Sequence, residues 1–247
     1  MQAKNLSAKT RILKKVAPNL ILSVIALSIG VLCFAPTPSN GEILTEGAQA
    51  PLYRSAGENA VGVSLMFNVY SGTEQVYQIL EILQEFNAKA TFFIGGCWAD
   101  DNTACLRDIF AAGHELGNHG YFHKDHDKLN LVDNQKEIYT CNRFIELTIG
   151  VKPVLFAPPS GAYGEATLSA CAALNMKTIL WSKDTIDWRD QDVNKIYTRA
   201  TKNVQKGDFI LMHPTKKTVE ALDDILKYYE KLQLKPITVS ENLQEMG

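Results

Sequence analysis

The chain has 247 residues, 46% of them hydrophobic and 21% charged, with a formal net charge of −2, enough for one substantial core. Charge is unevenly placed: residues 1–35 hold Lys4, Lys9, Arg11, Lys14 and Lys15 and no acid, so the remaining 20 basic residues face 27 acidic ones, a net charge of −7. That balance leaves no basic stripe for a nucleic acid and argues against polyanionic partners.

A basic start followed by the apolar run 20–35 reads as an export signal, either a cleaved signal peptide or an uncleaved signal anchor. Pro36 directly after Ala35 hinders cleavage and favours the anchor, with the basic end in the cytoplasm and the rest outside. The expected location is therefore extracytoplasmic, tethered to the membrane by the N-terminal helix, or secreted if cleavage occurs. Residues 36–60, rich in Pro, Gly, Ser, Asn and Glu, suit a tether of little fixed structure, and 61–243 form one domain. Nothing in the chain suggests assembly, so a monomer is expected. Cys97, Cys105, Cys141 and Cys171 fall in the exported part, where disulfides are permitted; Cys97 with Cys105 closes the shortest loop, and buried free thiols are the equal alternative.

From residue 61 onward, short apolar runs alternate with helical periodicity. Residues 61–67 read as a strand and 73–86 as a helix with Val76, Ile79, Leu80 and Leu83 on one face. The pair recurs as 90–94 with 103–112, 115–118 with 133–148, 154–156 with 166–174, 178–181 with 193–203, and 209–212 with 219–232, closing on a strand at 237–239. Such alternation predicts an α/β fold of about seven parallel strands joined by right-handed crossovers, a closed or nearly closed (β/α) barrel rather than an open sheet. In that layout Asn68, His119, His123, the 158–161 segment, Asp184, Asp187 and His213 all fall just beyond strand ends, on one rim.

Four of the five histidines lie in residues 114–126, within HELGNHGYFH and just after it. His119 and His123 are four apart, so a helical turn or a tight loop can aim both at one point. His114 and His119 are five apart, which breaks the i, i+4 face that a zinc-protease HExxH needs. The bland alternative is a polar loop with satisfied or solvent-facing histidines, and that reading suits His114 and His126.

Several segments in order resemble the polysaccharide deacetylases, the NodB-homology or carbohydrate esterase family 4 domain. GHELGNHGYFH resembles their metal-binding His-[Ser/Thr]-x-x-His segment, and ATFFIGG, the PPSG of FAPPSG, WSKDTIDW and ILMHP match other motifs, over residues 61–239. Within the family the chain looks closest to the sporulation-associated branch, whose first motif often reads Phe-Asn-x-x-Trp-Gly, against FNVYSG at 67–72 here. The resemblance implies a distorted (β/α) barrel and removal of acetyl groups from N-acetylated sugars, with peptidoglycan as the leading glycan. It also implies a divalent metal, zinc first, held by one Asp and two His, with a neighbouring Asp as base and a His opposite as acid. Carried over, His119 and His123 become metal ligands and His213 the acid, oriented by Asp184 or Asp187. Pro158, Pro159, Tyr163, Trp188 and Leu211 become substrate-binding, Trp188 and Tyr163 as apolar walls and Leu211 under the acetyl group.

One half of the pattern departs. The family's Thr-Phe-Asp-Asp-Gly places its base and its metal carboxylate at Asn68 and Val69; Asn accepts no proton and Val binds no metal. The Arg that tethers the base is Ala157, and Ser160 stands where an aromatic is usual. An Arg buried without its carboxylate costs several kcal/mol, so losing both together is coherent. Three readings remain open. The chain is a deacetylase with Asn68 or water completing the metal site, or a glycan-binding or scaffolding protein at the cell surface without turnover, or an enzyme that recruits Asp125 or Asp127 by loop motion.

Overall fold

The structure is a computed structural model and describes residues 49–57 and 59–243. The expected anchor and most of the expected tether lie outside the described residues. Among those described, no helix is long and apolar enough to cross a membrane.

The strands are β1 (Leu52–Tyr53), β2 (Ser64–Val69), β3 (Thr91–Ile94), β4 (Glu115–Asn118), β5 (Leu155–Phe156), β6 (Lys177–Ile179), β7 (Lys183–Asp184) and β8 (Phe209–Met212). They form one sheet in the order β1-β6-β5-β4-β3-β2-β8-β7, and every pair in it is parallel. Eight strands are thus found where about seven were expected, because β1 and β7 are two-residue strands too short to show a period. The end strands do not pair with each other, so the expected barrel is an open one.

The tether boundary also needs correction. Ala50 and Ala56 are buried, and β1 pairs with β6. Ser55 then makes an isolated antiparallel bridge to Asp208, and the Ala56 N–H donates to the Gly207 carbonyl. Residues 50–56 therefore span from β6 towards the start of β8 across the gap in the barrel. The shortness of β1 hid this: it is two residues long, too short to show a period, and Tyr53 and Ala56 pack on a second apolar cluster. The expected closing strand at 237–239 is absent as well: Pro236 makes only an isolated bridge to Val63, and Val239–Leu243 is helical.

The helices are α1 (Thr73–Glu85), α2 (Gly96–Asp101), α3 (Thr103–Ala111), α4 (Leu131–Ile149), α5 (Glu165–Ala173), α6 (Val193–Thr201), α7 (Lys216–Lys231) and α8 (Val239–Leu243). Strand residues alternate between two apolar clusters, as a period of two requires. Leu65, Phe67 and Val69 of β2 join Phe92 and Ile94 of β3 and the inner faces of α1 and α7 in the larger cluster, between sheet and helices. Met66 and Phe93 join Leu155, Ile179 and Phe209 in the second cluster. Each of these fully buried side chains contributes roughly 1.5–3 kcal/mol by burial.

All four described cysteines are free. Cys97 is exposed and Cys105 buried, so the Cys97–Cys105 pairing is not formed; Cys105 serves as a small apolar core residue beside Leu106.

Candidate active site

Two backbone devices bring the β2 and β8 ends together. In register, Phe67 stands opposite Met212, so Asn68 and His213 leave the sheet side by side. Gly72 then turns the chain at φ 80, where a Cβ would lie 2.3 Å from the Pro214 carbonyl oxygen, an approach only glycine permits.

His119 and His123 sit on a tight loop after β4, not on a helix. His119 follows β4 directly, and His123 holds a left-handed φ of 54. Buried polar groups fix the loop. Glu137 of α4 accepts from the Tyr121 and Phe122 amides at 3.1 and 2.8 Å and pairs with Lys124 at 3.0 Å. Asn118 Oδ1 accepts from the Gly120 amide at 2.7 Å while its Nδ2 donates to the Ile138 carbonyl. His126 lies inside this framework: its Nδ1 is 2.6 Å from Asn134 Oδ1, an acceptor because Asn134 Nδ2 donates to three carbonyls. His114 is buried with its Nδ1 accepting from the Ala90 amide, and it does not line the cavity of His119 and His123.

That cavity, of about 360 Å³, is lined by Asn68, Tyr70, His119, His123, Ser160, Trp181, Asp184, Trp188, Leu211 and His213. His119 donates Nδ1–H to the Ala157 carbonyl at 2.7 Å, which leaves the Nε2 lone pair as its free face. Burial pushes its imidazole well below the ordinary histidine value, with His123 adding to the effect, so the ring stays neutral. Burial lowers His123 too. The two ring centres are 5.0 Å apart, nearly perpendicular, and Tyr70 leans on His123 at 4.2 Å.

Across the cavity, His213 Nδ1 meets Asp187 Oδ1 at 2.8 Å. Asp187 is fully buried, and its Oδ2 also accepts from the His213 amide and from Thr218 Oγ1, each at 2.6 Å. Asp187, not Asp184, orients the histidine. Asp184 faces the cavity with Oδ1 accepting from the Ile186 amide, and burial raises its carboxyl above the ordinary aspartate value.

Three residues expected to bind substrate do not line the cavity. Pro158 and Pro159 are buried in a 3₁₀ turn at 159–161, and it is Ser160, at φ 56, that faces the opening. Tyr163 lies beyond that turn and does not reach the cavity. Leu211, buried, and Trp188, 55% exposed, do line it. Asp125 pairs with Lys128 at 2.6 Å, so it is not poised to enter. Tyr70 and Trp181 were missed from sequence. Tyr70 had a legible signal, since it falls on the glycine of the Thr-Phe-Asp-Asp-Gly pattern; Trp181 read as strand.

Asn68 lines the cavity at 3% exposure, and its Oδ1 has no hydrogen-bond partner. Val69 is fully buried in the sheet–helix cluster with Phe67, Val76 and Ile94, away from the cavity. The donor set at the β2 and β4 ends is thus two imidazoles, with the cavity's carboxylate, Asp184, on β7 across from them, and among the described residues no group of three or more His, Cys, Asp or Glu could hold a metal. A catalytic zinc normally has three protein ligands, so these residues do not fit one.

The fold and this half-preserved cavity define a parallel α/β barrel of the carbohydrate-esterase kind. The polysaccharide deacetylase family model matches residues 57–179. Among curated proteins, a Bacillus cereus peptidoglycan-N-acetylglucosamine deacetylase is 31% identical over 173 residues, 68% of this chain and 81% of its own length. Protein YlxY of Bacillus subtilis, itself uncharacterized, is 37% identical over 79% of this chain, which spans 61% of that protein's length. Among solved structures, BA3943 of Bacillus anthracis, described as a carbohydrate esterase family 4 pseudoenzyme, superposes with a TM-score of 0.76 at 33% identity over 79% of this chain and 70% of its own. A mutant of BA3943 with restored enzymatic activity superposes equally well. The chain belongs to the polysaccharide deacetylase family, whose enzymes are in general metal-dependent hydrolases acting on N-acetyl groups.

Proposed function

We propose that this protein binds a cell-wall glycan of the peptidoglycan type without hydrolysing it, as a pseudoenzyme of its family. The observation that carries this reading is the end of β2, where Asn68 stands in the cavity in place of a base and Val69 is packed away from it. Among the described residues lining the cavity, no carboxylate stands on the β2 side. The opposite side keeps His213 with Asp187, and the aromatic lining of Tyr70, Trp181 and Trp188 offers flat faces to a sugar ring. Membrane attachment through residues 1–35 would hold such a binder at the cell surface, as a monomer.

A second reading, residual deacetylation, has one observation in its favour, the free Nε2 face of His119 beside His123, and it would require a further ligand that the described residues do not supply. The test is to incubate the full-length chain with peptidoglycan, and to measure cosedimentation, acetate release and zinc content together. Cosedimentation with no acetate and well under one zinc per chain is expected. Acetate release with stoichiometric zinc would replace the first reading with the second, and no cosedimentation would refute glycan binding.

A further inference from the structure

The cavity of His119 and His213 lies where strands end; another lies where they begin. It has a volume of about 340 Å³ and is lined by residues of α1, by Ala112 after α3, by Lys89 just before β3 and by His114 just before β4. His114 is 5% exposed and its ring is fixed: Nδ1 accepts from the Ala90 amide at 3.3 Å, and the ring leans on Phe92 with centres 5.3 Å apart. With the Nδ1 lone pair engaged, the neutral ring carries its proton on Nε2. That Nε2–H has no acceptor among the described residues, and it is not sealed from solvent, so it opens on the cavity. Lys89 is the one cation among the described residues of the lining. Its ammonium spends one N–H on the Ala112 carbonyl at 2.6 Å and meets no carboxylate among the described residues. Glu81, the one acid in the lining, is exposed and makes no ion pair with it. The Lys89 charge also helps burial to keep the His114 ring neutral, so the two groups act on one another.

Two donors, one of them charged, narrow the ligand. A divalent metal needs lone pairs, and neither group offers one, since the Nδ1 pair is taken and Nε2 carries a proton. A cationic ligand meets Lys89 in the same lining. A neutral carbonyl accepts from Nε2–H as well, but an anionic oxygen takes a charge-assisted bond from Lys89 that is roughly twice as strong as a neutral one. A carboxylate has one oxygen for each donor, and Leu80, Leu83 and Ala88 give the cavity an apolar wall for the rest of the molecule. We propose that this cavity is a binding site for a small organic carboxylate, one oxygen accepting from His114 Nε2–H and the other from Lys89, with its hydrocarbon part against Leu80 and Leu83. The site is separate from the cavity at the strand ends and does not depend on the glycan-binding reading.

Titration of the full-length chain at neutral pH with butyrate, butyramide and butylammonium tests this, followed by two-dimensional proton–nitrogen spectra of the histidine rings, with sodium chloride at equal ionic strength as the baseline. Butyrate should shift the His114 ring resonances saturably, leave those of His119, His123 and His213 in place, and bind at least about tenfold tighter than butyramide, while butylammonium should not bind. Lys89→Met keeps the aliphatic stem and should weaken butyrate binding about tenfold. If that variant does not fold, the comparison of the three ligands carries the test. The proposal is overturned by butyramide binding as tightly as butyrate, by the absence of a saturable shift at His114, by a shift confined to the histidines of the other cavity, or by an unchanged affinity in Lys89→Met.

Discussion

Asp187→Ala tests whether the His213 side of the site is a rigid structural unit. The wild-type carboxylate accepts three hydrogen bonds, from His213 Nδ1 at 2.8 Å and from the His213 amide and Thr218 Oγ1 at 2.6 Å, with no exposure to solvent. Hydrogen bonds to a charged group are each worth about 1.5–3 kcal/mol, but they share one carboxylate and do not add. Removing one partner of a buried polar cluster typically costs about 3–5 kcal/mol, because the donors left behind stay buried and unmet. For a domain of this size one kcal/mol moves the melting temperature by roughly 2–4 °C, so a loss of about 6–20 °C is expected by scanning calorimetry. Asp187→Asn keeps the shape and one acceptor oxygen, and should fall roughly midway. If Asp187→Ala melted within about 2 °C of the parent, the three bonds would be cosmetic, and the argument that this half of the site supports the fold would fail.

Other perturbations have definite signs. His114 is held neutral, its imidazole pushed down to about 4 by burial and by Lys89, against an ordinary value of 6.5. Above pH 6.5 both states carry it neutral; as pH falls towards 4 only the unfolded chain takes the proton, so about 3 kcal/mol of stability is lost across that window. His114→Leu should flatten the dependence of melting temperature on pH between 6.5 and 4, and an unchanged slope would contradict this. Val69→Asp puts a carboxylate into an apolar cluster and should cost several kcal/mol without metal, read as an earlier urea midpoint. Combined with Asn68→Asp it should be partly rescued by added zinc and should then release acetate from N-acetylglucosamine oligomers; rescue without any gain of activity would mean the His213 side is also altered. Trp188→Ala, at an exposed position, should weaken glycan binding about tenfold while leaving the melting temperature within a degree or two, and a large drop in melting temperature would make Trp188 a core residue instead.

The repeating strand–helix pattern was legible because central parallel strands are buried on both faces and read as apolar runs, as in TFFI of β3 and FILM of β8. Elements that owe their conformation to neighbours were not. Leu52–Tyr53 is a strand only because β6 offers it hydrogen bonds, and 237–239 fails as one because its partners are a single bridge and a helix start. The rim positions of His119, His123, Asp187 and His213 followed from strand ends. Which of Asp184 and Asp187 meets His213 did not, because both lie in one short segment and only the turn at Ile186, with φ 52, separates their directions. Likewise Ser160, and not its proline neighbours, reaches the cavity through a left-handed φ that composition does not reveal.

The two halves of the site differ in what they do for the fold, and this explains why one can change while the other stays. Asp187 ties the segment after β7 to the start of α7, through Thr218 and the His213 amide, so it stabilises the protein whether or not a substrate is ever turned over. A carboxylate pair at Asn68 and Val69 would do the reverse. Without a metal between them, two like charges at a buried strand end raise the free energy of the folded state, and an Arg at 157 would need one of them as its partner. Replacing all three by Asn, Val and Ala removes charges that only catalysis required, and the His119 bond to residue 157 survives because it is made to a backbone carbonyl. What remains, among the described residues, is a cavity whose β2 end carries an amide and an aliphatic side chain in place of two carboxylates, and on that difference the proposed glycan-binding role rests.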